Sequence, residues 1–159
     1  MNQFTESHLK AWKKDYINLI NNKRFKLNNE NVWMLGKTSG VICFFLDQEI
    51  AYICYTKSIY QTLKDILNTK KNNELVKLIM THDLDMSENR INQKKMSLSI
   101  SNKIKKIINN FEFSLLKISS NYIDNITNAF IVIADPTYNG QTSRLNKILD
   151  DLPEKKTNL

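Results

Sequence analysis

Apolar positions recur along the chain at two periods, and the period changes mark the elements. From Thr5 to Lys23, Leu9, Trp12, Tyr16 and Ile20 fall at three- and four-residue steps. That spacing predicts one amphipathic helix, with Lys10, Lys13 and Lys14 mostly off the apolar stripe. The following NNKRFKLNNEN reads as a polar connector, because its asparagines compete with helical hydrogen bonds. The pattern then turns into two continuous apolar runs, Gly40 to Leu46 and Glu49 to Thr56, separated by Asp47-Gln48. These predict an antiparallel hairpin in the middle of a sheet that is covered on both faces. Ser58 is placed to cap a helix whose inner face is Ile59, Leu63, Ile66 and Leu67. A second short helix fits Glu74 to Thr81, and Ser87 to Asn110 is helical in period but polar. Phe111 to Ser119 reads as a third strand and Tyr122 to about Ile133 as a helix stopped by Asp135-Pro136. A last short helix is expected from Ser143 to Leu152, with a charged tail from Pro153.

These elements give an α+β fold with a small central antiparallel sheet of about three strands flanked by helices. The expected organisation is an N-terminal helix and connector over 1–30, a domain over 31–140, and a C-terminal helix and tail over 141–159. At 159 residues the chain can bury roughly 70% of its unfolded surface and needs no disulfide or metal staple. Composition adds a net charge of +7, from 23 Lys and Arg against 16 Asp and Glu. The excess is lysine, the arginines being Arg24, Arg90 and Arg144. Lysine excess points to a polyanion partner, although an AT-rich coding bias toward Lys, Asn and Ile produces the same charge. Cys43 and Cys54 sit in apolar runs without metal-ligand spacing, so they read as buried thiols rather than a zinc site. No apolar run is long enough for a membrane span and the first residues lack a signal-peptide core, so a cytoplasmic location is expected.

The stretch SGVICFFLDQEIAYICYTKSIYQTLKDIL resembles the start of a GIY-YIG nuclease domain. Gly40-Val41-Ile42 stands for the first triplet, Tyr52-Ile53-Cys54 for the second, and Thr56-Lys57-Ser58 leads into the helix. Downstream, the strand from Phe111, a helix carrying Asn128-Ala129-Phe130-Ile131, and Pro136-Thr137-Tyr138-Asn139 match the close of that family's domain. The resemblance covers about residues 31 to 140. It implies phosphodiester hydrolysis, in which tyrosines place a water, an arginine holds the phosphate, a glutamate holds Mg²⁺ and an asparagine supports the site. Such chemistry needs charge stabilisation at the developing phosphorane.

Most of those posts carry other residues here. Ile42 stands at the first tyrosine, Cys54 at the second triplet's glycine, and Thr62 at or near the arginine. The nearest cation, Lys64, lies about 200° around the helix from Thr62. Asn128 stands at the glutamate, leaving open whether Asp124 or Asp135 replaces it. Tyr52 and Asn139 are retained, so Tyr52, Lys64 and Asn139 form the relic or divergent catalytic set, with no assigned metal ligand. The expected function is therefore DNA binding by a catalytically inactive nuclease-like fold that occupies DNA or competes with an active nuclease. Lys57, Lys64, Lys94 and Lys95 are its candidate phosphate contacts, and Tyr55 and Tyr60 its stacking residues. No cofactor is expected. One alternative is a divergent Mg²⁺-dependent endonuclease, and another is a protein-interaction module or homodimer using the fold as a scaffold. Such a protein suits a phage or mobile element. His82 with Asp83 lacks an identifiable nucleophile, His8 falls in the first helical turn, and there is no glycine-rich phosphate loop.

Overall fold

The structure, a computed structural model, describes residues 5–93, 95–118 and 121–139. The hairpin forms where its two apolar runs lie: β2 spans Gly40–Leu46 and β3 spans Glu49–Thr56. Asp47 and Gln48 both adopt positive φ, 52° and 72°. That is the backbone of a type I′ turn, whose twist matches the flanking strands even without a glycine. β2 is flanked on its other side by β4, Phe111–Leu116, which ends earlier than the apolar pattern suggests.

The sheet has four strands rather than three. The extra one, β1, is Phe25–Lys26, inside the expected polar connector. It pairs antiparallel with β4, Phe25 opposite Phe113, and the order is β1-β4-β2-β3. Two residues are too few to show alternation, so the strand is invisible to periodicity. The same connector holds the short helix α2, Asn29–Trp33, whose cap is Asn28, one of the connector's asparagines. Asn28 Oδ1 accepts the Asn31 N–H at 2.9 Å.

The N-terminal segment is not one helix. A 3₁₀ stretch over Glu6–Trp12 contains Lys10 at φ 53°, ψ −123°, and α1 proper runs over Lys13–Asn21. The break rotates the stripe: Leu9, Trp12, Tyr16 and Leu19 are buried, and Ile20 is only partly so. Periodicity identifies which residues face inward but does not require unbroken backbone between them. The region 87–110 is likewise split, into α5 (Glu88–Ile91) and α6 (Leu98–Ile108). Each half has its own serine cap, Ser87 and Ser97.

α3 (Ile59–Leu67) is capped by Ser58 as expected, and α4 covers Glu74–Asp83. α7, Ile123–Ala134, closes on Asp135 in the left-handed conformation immediately before Pro136. The expected helix at 143–152 lies outside the described residues.

Alternation in the strands divides the core by face. Ile42, Phe44, Tyr52, Phe111 and Phe113 pack against α2, α3, α4 and α6. Val41, Cys43, Phe45, Ile53 and Leu116 pack against the N-terminal segment and α7. The result is helix–sheet–helix, and residues 5–21 share a core with the sheet. Among the described residues no helix is long and apolar enough to cross a membrane.

Candidate functional site

Residues of the second triplet border a cleft on the first face. Tyr52 and Cys54 from β3, Thr62 and Asp65 from α3, and Glu74 at the start of α4 border this cleft of about 240 Å³. Tyr52 is 8% exposed and its ring lies 5.9 Å from that of Phe44. Burial pushes its phenol well above the ordinary tyrosine range. Burial also pushes the Cys54 thiol up to about 12. Thr62 faces the cleft, and its hydroxyl lies 2.6 Å from that of Thr56. Asp65 accepts from Gln61 Nε2 at 2.8 Å. The cleft thus carries two carboxylates, and neither Lys57 nor Lys64 borders it. With no cation among the described residues lining it, these carboxylates by themselves repel a phosphate. Tyr55 borders it while packing partly into the opposite core.

Gly40 is required for packing: a Cβ there would sit 2.7 Å from the Leu116 carbonyl oxygen and 3.0 Å from Ile59 Cδ1. Asn139 grips the outer edge of β3, its Oδ1 accepting the Ile53 N–H and its Nδ2 donating to the Ile53 carbonyl, both at 2.9 Å. The Tyr138 N–H donates to the Ala51 carbonyl at 2.8 Å. The Tyr138 hydroxyl donates to Asp83 at 2.6 Å, with the His82 ring edge-on at 6.0 Å. Asp83 therefore answers Tyr138. α7, which carries Asp124 and Asn128, buries its apolar residues on the face opposite Tyr52, and neither residue borders the cleft. Among the described residues no group of three or more His, Cys, Asp or Glu is gathered for a metal.

A second site is assembled from the end of α2, the loop into β2 and the outer face of α3. Trp33, Leu35, Lys37, Tyr60 and Lys64 border an open groove of about 450 Å³. The Ser58 cap sets the phase of α3, so that Lys64 is exposed and Tyr60, one turn earlier, is half-buried at the edge of the core, while Ile59 and Leu63 point in. The Lys64 ammonium lies 5.5 Å from the Tyr60 ring centroid. The Ile59 N–H donates to the Thr38 carbonyl at 2.9 Å, tying the loop to the helix. Trp33 is 78% exposed and Met34 84%, in contrast to Trp12 at 8%. Sequence reading named Tyr60 and Lys64 but missed Trp33 and Lys37. The available signal was an adjacent Trp-Met pair belonging to no apolar stripe.

Lys57 is exposed at the end of β3. Lys95 is exposed beside a separate depression, and Lys94 lies outside the described residues. No protein-family model, curated protein or solved structure matches the chain.

Proposed function

We propose that this protein binds DNA through the Trp33–Tyr60 groove, on a GIY-YIG-like scaffold that no longer carries out hydrolysis. The observation that carries the reading is one open groove presenting two aromatic rings together with Lys37 and Lys64. Unpaired bases stack on such rings for about 1–3 kcal/mol each, while ammonium groups follow the phosphates. DNA with unpaired bases is therefore the favoured ligand. Loss of hydrolysis is supported by Ile42, Thr62 and Asn128 at the matched posts. The protein then acts by occupying DNA or by competing with an active nuclease.

Trp33 supplies its own probe, because the other tryptophan is buried. Titration with a single-stranded oligonucleotide quenches tryptophan emission, and Trp33→Phe abolishes most of the change. Unchanged emission at saturating oligonucleotide contradicts the proposal. The exposure of Met34 beside Trp33 favours a second reading, a protein contact on the same patch. That reading requires a concentration-dependent size in solution, abolished by Trp33→Ala together with Met34→Ala.

A further inference from the structure

The longest interruption of the polar region 87–110 creates a depression unrelated to the groove. α4, α5 and the start of α6 enclose about 190 Å³. Its inner wall includes Met80, Met86 and Met96, three of the chain's five methionines. Lys71, Arg90 and Lys95 stand around it, and no Asp or Glu is among the described residues lining it. The Lys71 ammonium donates to the Gln93 carbonyl, which holds that cation at the rim. α6 begins here, with Ser97 capping the Ile100 N–H at 3.2 Å, so its positive end adds to the same field. Arg90 also borders a neighbouring depression that Asp83 and Asp85 line, while neither acid lines the first.

Each part of this arrangement selects for one part of a ligand. Methionine thioethers are polarizable and adaptable, and they make favourable contacts with aromatic rings. Three cations around one mouth favour a phosphate, with the arginine offering paired donors. The volume is below the roughly 300–1,000 Å³ of drug-sized sites, so it admits one ring system and leaves the charge at the rim. We infer that this depression binds a nucleoside 5′-monophosphate, its base against the methionines and its phosphate between Lys71, Arg90 and Lys95.

The inference does not depend on the DNA groove and is tested separately from it. Calorimetric titration of the full chain with adenosine and thymidine 5′-monophosphates is expected to give one site for at least one of them. Arg90→Gln with Lys95→Gln, both exposed, should weaken that binding by roughly tenfold or more, from the loss of charged hydrogen bonds. Met96→Gln should weaken it with the rim intact, and Trp33→Ala should leave it unchanged. No binding of either nucleotide overturns the inference. So does inorganic phosphate binding as tightly as the nucleotide, since the methionine wall then contributes nothing. Displacement of the nucleotide by a 5′-phosphorylated oligonucleotide also overturns it, by showing that the depression holds a strand end.

Discussion

Single residues in this chain separate resemblance from chemistry. Gly40 opens the matched first triplet, but its lack of a side chain is used against Leu116 and Ile59. Gly40→Ala should destabilise the fold by about 1–3 kcal/mol, as overpacking does, measured as a lower urea midpoint at unchanged slope. Buried ionisable groups give a second outcome. Burial pushes Cys43 from 9.0 to about 12, with Arg24 and Ser114 pulling partly back, and pushes Tyr16 from 10.0 to about 12. Both are neutral when protonated, so between the unfolded and folded values the folded chain binds more protons. Their stabilising contribution is complete below pH 9 and is lost as pH rises toward about 12. The urea midpoint should fall between pH 8.5 and about 11, and less steeply in Cys43→Ala. A midpoint that rises over this range contradicts the assignment. The apolar setting of Cys43 was legible in the sequence; Arg24, stacked 3.7 Å over the Phe45 ring on the same face, was not. Its partner lies far along the chain, and periodicity carries no information about such contacts.

At the scale of elements, legibility follows length and pattern. β2 and β3 are long and apolar on both faces, and their limits are those read from the sequence. The Ser58 cap was equally readable, because a serine before an apolar helical stripe has one obvious use. What escaped was short or broken: the two-residue β1, the one-turn α2, and the left-handed Lys10 that divides the N-terminal helix. For Pro136 to Asn139 the resemblance implies a catalytic post at Asn139. In the structure the segment covers the outer edge of β3, satisfying backbone groups that would otherwise invite pairing with another chain. Asn139→Ala should therefore cost about 1–3 kcal/mol in stability, while oligonucleotide affinity stays as in the unmodified protein. A loss of binding with unchanged stability would return Asn139 to a functional site.

The whole molecule places its features on different surfaces. The sheet is sealed on both faces, the acidic cleft lies over Tyr52, and the aromatic–lysine groove lies on the outward side of α3. The net charge of +7 can attract a polyanion but does not say where it sits. The phase of α3 turns Lys64 away from the cleft, as the helical angle between Thr62 and Lys64 required. Trp33 and Lys37 join the groove only because the loop after α2 folds back on that helix, a contact beyond the reach of local pattern.

The most direct measurement is a mobility shift, with Mg²⁺ present, of labelled duplex DNA bearing a single-stranded tail, with each sample also run on a denaturing gel. Two lysine contacts to a single strand give a log–log salt slope of about −1.4, so affinity should fall about sevenfold between about 50 and about 200 mM salt. Trp33→Ala should weaken binding by roughly 5- to 150-fold at either salt, and the strands should remain intact. Binding indifferent to Trp33 and Lys64, or strands cut in a Tyr52-dependent way, would contradict a DNA-binding groove on an inactive scaffold.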